Sequence, residues 1–119
     1  MNINKLENDI MKLAEALDDM HNRAVVVYTP IVDDICNRKA SENEVDNLLT
    51  WMFDFVGYER MLLLFKKVCR KYFYTYPEVV GFYILEYRKV YDEESLRGTE
   101  YDNQLEDDWL VGRKLFLQD

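Results

Sequence analysis

The chain has 119 residues, of which 15 are basic and 23 are acidic, and its formal net charge is −8. Apolar residues make up 49% of it, which is too high for a disordered chain, and its length suits one folded domain, residues 1–119. The four glycines and two prolines exclude collagen-like and linker-rich architectures.

The N-terminal segment and the cysteines indicate an intracellular protein. The first residues lack the basic stretch and the apolar stretch that together form a signal peptide. The uncharged apolar run at residues 61–65, which no other run exceeds, is far shorter than the ~20 residues that span a bilayer. Cys36 and Cys69 lack the spacing of a metal-binding pair, so we expect buried thiols rather than a disulfide. We therefore expect a cytoplasmic protein that does not bind membranes.

The N-terminal quarter of the chain carries its most regular pattern. Apolar residues recur at alternating spacings of three and four from Ile3 to Ile31, as in the a and d positions of a coiled coil. This pattern predicts an amphipathic helix to about Tyr28, although the β-branched run at 24–28 also fits a short strand. A heptad pattern of this length is unusual in so small a domain and suggests a homodimer.

Two further helices are predicted after this segment. Thr29 is suited to an N-cap and Pro30 to the first helical position, so a second helix, either new or a kinked continuation, runs to about Arg38. Residues 41–44, Ser-Glu-Asn-Glu, have the spacing of a capping box. Apolar residues follow at helical spacing, which predicts a third helix over 41–56.

The rest of the chain also has mainly helical patterns. Residues 58–74 carry apolar residues on one face, and residues 77–91 form a segment that is apolar on several sides. A last helix is predicted over about 102–117, after an acidic loop. The predicted fold class is therefore all-α, a single compact bundle of five or six helices. The alternative is an α+β fold with short strands near 24–28 and 79–91.

The apolar stripes of these helices predict part of the core. Leu49, Phe53, Leu62 and Phe65 lie on the stripes of the two clearest helices, so we expect all four to be buried. Aromatic residues are concentrated between 72 and 91. Their rings either fill the core with their hydroxyls at the surface or form a binding or dimer patch.

The charge is spread unevenly along the chain. Residues 59–91 carry a net charge of +4, whereas the flanking segments 41–58 and 92–119 carry −4 and −6. A basic patch is predicted from Arg60, Lys66, Lys67, Arg70 and Lys71. An acidic partner-binding segment is predicted from Asp92, Glu93, Glu94, Glu106, Asp107 and Asp108. The alternative for both sets is a solvated surface whose charges match internally.

Motifs for catalysis are sparse. The pairs Glu15/Asp18 and Asp18/His21 each place two possible metal ligands on one helical face, but no second pair accompanies them in another helix. The chain contains no glycine-rich phosphate loop, no dinucleotide-binding fingerprint and no nucleophile elbow. We therefore predict no catalytic residue, no metal site and no cofactor.

These observations predict a non-enzymatic interaction or regulatory protein, such as a small accessory or inhibitory factor that acts on a basic protein partner. One alternative is a small helical enzyme with an acidic metal site, similar to helical nucleotide pyrophosphatases. Another is weak nucleic-acid binding through the basic helix 60–71. The sequence isoelectric point of about 4.7 argues against nucleic acid as the partner.

Overall fold

The computed structural model describes residues 3–101, which contain four α-helices and one short 3-10 helix. The helices are α1 (Ile3–Asn37), α2 (Glu42–Phe53), α3 (Glu59–Tyr72) and α4 (Pro77–Tyr91), and the 3-10 helix is Glu93–Leu96. The all-α prediction is confirmed, because no strand occurs within residues 3–101 and both segments predicted as possible strands are helical. The helix predicted over 102–117 lies outside the described residues.

Within residues 3–101 the structure has four α-helices rather than the five or six predicted for the bundle, and the first two predicted helices are one continuous helix. α1 continues through Pro30, which lies on an exposed side of the helix. Proline cannot donate to the carbonyl of Val26, but Val26 is 73% exposed, so water can reach this turn. Thr29 does not cap a new helix, since its hydroxyl donates to the carbonyl of Val25 at 2.6 Å.

The core lies where α3 packs against α1, α2 and α4. The side chains that are at most 2% exposed are Val32, Ala40, Val45, Leu48, Leu49, Met52, Val56, Met61, Phe65, Val68, Tyr72, Val80 and Leu96. The core prediction is confirmed for Leu49 and Phe65. It is wrong for Phe53 and Leu62, which are half-buried because they lie at the edge of their stripes and pack against the core from outside.

The capping box predicted at the start of α2 is present. The Ser41 hydroxyl accepts from the backbone N–H of Glu44 at 3.2 Å, and the Ser41 N–H donates to the Glu44 carboxylate at 2.8 Å. Arg38 donates to both oxygens of the same carboxylate at 3.0 and 3.1 Å. The hydrogen bonds from Arg38 and then Ser41 lower the pKa of Glu44 to about 2. The carboxylate is therefore ionised at neutral pH and links the end of α1 to the start of α2.

Two tyrosines, Tyr72 and Tyr76, form hydrogen bonds to the backbone of the turn between α1 and α2. The buried Tyr72 hydroxyl accepts from the Ala40 N–H at 3.0 Å and lies 2.5 and 2.7 Å from the carbonyl oxygens of Ile35 and Arg38. Tyr76 stacks on Tyr72 with ring centroids 5.7 Å apart and donates to the Ala40 carbonyl at 2.6 Å. Of the two alternatives for the aromatic rings, the first holds for Tyr72 only in part: its ring fills the core, but its hydroxyl is buried, because polar backbone groups in the turn require buried partners.

α4 lies at the edge of the bundle rather than at its centre. Its Val80 is fully buried, and Ile84 and Tyr87 are half-buried against the core. Phe82 and Val90 lie on the other side and are 56% and 63% exposed. α4 therefore has an outer apolar face that no other element of the described chain covers.

Candidate interaction surface

The N-terminal half of α1 projects from the bundle. Every residue from 3 to 20 is exposed, and the first buried residues of the helix are Ala24 and Val25. The helix has 35 residues, which corresponds to a length of about 52 Å. This length accounts for most of the longest dimension of the molecule, 57 Å. We refer to residues 3–20 as the arm.

One side of the arm is a continuous apolar surface. Its residues are Ile3, Leu6, Ile10, Leu13, Leu17 and Met20, which we call the seam. These side chains are 47–66% exposed, and no other element within residues 3–101 covers them. The heptad pattern continues past the arm along α1, where Val27 is 56% exposed and Ile31 is 38% exposed. The exposed large apolar side chains of the described chain are concentrated in α1.

The base of the arm is fixed to the body of the protein. The ring of His21 stacks on Tyr58 with centroids 4.8 Å apart. The Tyr58 hydroxyl donates to Asn22 Oδ1 at 2.8 Å, and Arg60 donates to the same oxygen at 3.2 Å. His21 is half-buried because Tyr58, in the turn before α3, lies over it. These contacts set the direction in which the arm leaves the body.

The predicted acidic segment is only partly within the described residues. Asp92, Glu93 and Glu94 are exposed in the turn after α4 and the 3-10 helix that follows it. Arg97 donates to Glu93 at 2.7 Å and lies 3.3 Å from Glu94, so these two carboxylates share one cation. Glu106, Asp107 and Asp108 lie outside the described residues.

The predicted basic patch lies on the exposed outer face of α3. Its residues are Arg60, Lys66, Lys67, Arg70 and Lys71. Lys67 Nζ donates to Asp33 Oδ1 at 2.7 Å, and this hydrogen bond raises the pKa of the lysine. Arg60 is engaged by Asn22 at the base of the arm. Part of the patch therefore serves to join α3 to α1.

A groove of about 400 Å³ lies between α3 and α4. Its apolar lining consists of Leu62, Phe65, Cys69, Phe73, Ile84 and Tyr87. Its charged lining consists of Lys66, Arg70, Arg88 and Asp92. The groove is thus apolar with mainly cationic groups around it. Lys66 and Arg70 of the basic patch line this groove, whereas Arg60 and Lys67 contact α1.

The two cysteines are free thiols. Cys69 is buried, as expected, and burial raises the pKa of its thiol to about 12. Cys36 is half-buried, and its pKa is also raised, mainly by burial. Because the thiolate is the nucleophilic form, both side chains are poorly reactive at neutral pH.

The acidic pairs considered for metal binding both lie on the arm or at its base. Asp18 is exposed and accepts a hydrogen bond from Asn22 at 3.4 Å, while Glu15 is exposed in the preceding turn. Within residues 3–101, the structure brings no three His, Cys, Asp or Glu side chains together in a way that would hold a metal ion.

Comparisons of the chain with known proteins do not assign a function to this surface. No protein-family model, curated protein or solved structure matches the chain. None of the helices in the described part of the chain has the length and apolar character that crossing a membrane requires.

Proposed function

We propose that this chain is a non-enzymatic interaction protein whose binding element is the arm of α1. The observation that supports this proposal is the seam, six apolar side chains that are 47–66% exposed over 18 residues of helix. Contiguous apolar surface of this kind is typical of protein interaction sites, because its removal from water is the main favourable term in association.

The polar side of the arm supports the same proposal. Lys5, Lys12, Glu15 and Asp19 are exposed on the side of the helix away from the seam. An amphipathic helix with one apolar face is the form in which helices bind an apolar groove or another helix. The arm therefore has an apolar face that a partner can bury and a charged face that stays in contact with water once the seam is covered.

The proposal predicts that two charges on the seam abolish partner binding. The seam variant Leu13→Glu/Leu17→Glu introduces carboxylates that cannot be buried without a large desolvation cost. The control variant Asn8→Glu/Met11→Glu adds the same charge to exposed positions off the seam. We expect affinity capture from the native host, read by mass spectrometry, to recover the same protein with wild type and control and to lose it with the seam variant.

Circular dichroism of each variant separates binding from folding. The arm makes no buried contact within the described chain, so both variants should retain the helical signal of the body. Equal recovery of the same proteins by the folded seam variant and by wild type would contradict the proposed role of the arm.

We further propose that the acidic C-terminal segment steers the protein toward a basic partner. Residues 92–119 carry a net charge of −6. Since Glu93 and Glu94 share Arg97, the test neutralises three other acidic residues of the segment that are consecutive in the sequence, as Glu106→Gln/Asp107→Asn/Asp108→Asn. Long-range attraction acts on the association rate and is screened by salt, with a Debye length of about 8 Å at physiological ionic strength.

Stopped-flow or surface-based kinetics with the captured partner provide the measurement. We expect the triple variant to associate more slowly, with a weaker salt dependence and a nearly unchanged dissociation rate. Glu42→Gln/Asp54→Asn/Glu78→Gln removes the same charge from exposed positions elsewhere and is the control. An association rate that responds equally to the two triple variants would show an effect of net charge alone.

A further inference from the structure

We propose that the arm binds the arm of a second copy of this chain in an antiparallel pair, with Leu13 of one copy opposite Leu17 of the other. The inference rests on the proposed function, because both assign binding to the arm. It adds the identity of a partner, the direction of the two helices and their register.

The exposed apolar residues of α1 form layers in this register. In an antiparallel coiled coil, each a residue lies opposite a d residue of the other helix. The layers are Ile3 with Val27, Ile10 with Met20, and Leu13 with Leu17, each occurring twice by symmetry. Leu6 lies opposite Ala24, which is only 9% exposed because it packs in the body, so this position adds no open layer. Val27 is 56% exposed although it lies beyond the arm, so the surface that the tip of the second arm would cover is open.

The charges that flank the seam select the antiparallel arrangement. Glu7 and Asp9 flank it near the tip, whereas His21 and Arg23 flank it near the base. Glu7 lies opposite His21, whose ring is half-buried against Tyr58, so the charged pair of this register is Asp9 opposite Arg23 of the second copy. A parallel pair instead places Asp9 opposite Ala14 and leaves these charges without complement. Opposite charges at such flanking positions set the orientation of helix pairs.

Small residues flank the centre of the same pair. Ala14 and Ala16 are exposed and lie on opposite sides of the seam, midway between tip and base. In the proposed register each lies opposite its own copy in the second chain. The separation of two packed helices depends on the size of the side chains at the contact, so alanine at both positions permits close approach of the helix axes.

The charge pairs allow a reversal experiment on the full chain. Sedimentation equilibrium at low salt should show a dimer for wild type. Asp9→Arg and Arg23→Asp should each raise the dimer dissociation constant about tenfold, since each places like charges opposite each other twice in the pair. The double variant should return to within about twofold of wild type, because its charges are again complementary.

Two outcomes of this experiment would overturn the pair. One is a wild type that remains monomeric at high micromolar concentration. The other is a double variant that stays as weak as the single variants while circular dichroism shows unchanged helix content. Arg23 also bridges Asp19 at 3.0 Å within α1, so the helix content of Arg23→Asp is the necessary check on its folding.

Cysteine cross-linking tests the direction of the helices independently. In a chain with Cys36→Ser, the buried Cys69 remains as it is. Ala16→Cys should form a disulfide dimer in air, because the antiparallel register places this residue opposite itself. Leu6→Cys should not form one, because the two Leu6 positions of the antiparallel pair lie about 27 Å apart along the helix axis. Dimers from Leu6→Cys and none from Ala16→Cys would overturn the antiparallel arrangement.

The two proposals fail in different experiments. A monomeric wild type overturns the pairing of two copies and leaves the role of the arm to the capture experiment. Equal capture by the seam variant and the wild type overturns the role of the arm in binding other proteins, whatever the oligomeric state.

Discussion

Phe65→Ala is expected to lower the free energy of unfolding by about 3–5 kcal/mol, because truncation of a buried phenylalanine loses apolar burial and leaves a cavity. Phe65 is 2% exposed. It lies between two other rings, with centroid distances of 6.3 Å to Phe53 and 6.4 Å to Tyr87. The surrounding helices meet at this ring, so little of the cavity can close by local movement.

Urea unfolding followed by circular dichroism measures this effect. Phe82→Ala removes the same group from the exposed side of α4, where the ring is 56% exposed, and is the matched control. We expect the control to change the free energy of unfolding by less than about 1 kcal/mol. A midpoint for Phe65→Ala equal to that of wild type would show that this ring is not part of the core.

Tyr72→Phe is expected to destabilise the protein by about 1–3 kcal/mol, although it removes only one oxygen atom. The hydroxyl is the acceptor for the Ala40 N–H and lies within 2.7 Å of two carbonyl oxygens at the end of α1. Without it, these backbone groups are buried and lack this partner. The loss of polar contacts therefore outweighs the gain from a more apolar ring.

The effect should be local as well as global. Hydrogen exchange at the Ala40 amide should become faster in Tyr72→Phe, since this amide loses its acceptor. Tyr74→Phe makes the same change in a ring that is 91% exposed and should leave both stability and exchange unchanged. Unchanged exchange at Ala40 in Tyr72→Phe would indicate that water replaces the hydroxyl.

The sequence predicted the helices where local signals and apolar spacing agree. α2 begins at the predicted capping box, and α4 has the predicted bounds of 77–91. Pro30 was misleading because α1 continues past it at an exposed position, where water can bond the carbonyl that the proline leaves without a donor. Whether that carbonyl faces solvent depends on how the helix packs, which is not encoded in the residues around Pro30.

The seam could be predicted as an apolar surface but not as an exposed one. The heptad pattern is the same for residues that pack inside the body, such as Ala24, and residues that project from it, such as Leu13. Periodicity reports which face of a helix is apolar and does not report what covers that face. The contacts of Tyr58 with His21 and Asn22, which determine where the body ends, join residues about 36 positions apart.

Because α1 continues directly from the core into the arm, the proposed binding of the arm costs less conformational entropy. Forming the first turn of a helix is the unfavourable step, with a nucleation constant of about 10⁻³, whereas each added residue extends an existing helix at little cost. The buried turns around Ala24 and Val32 act as a permanent nucleus for the arm. In the proposed complex the arm is therefore helical before it binds, and association loses less conformational entropy than the folding of a separate peptide would.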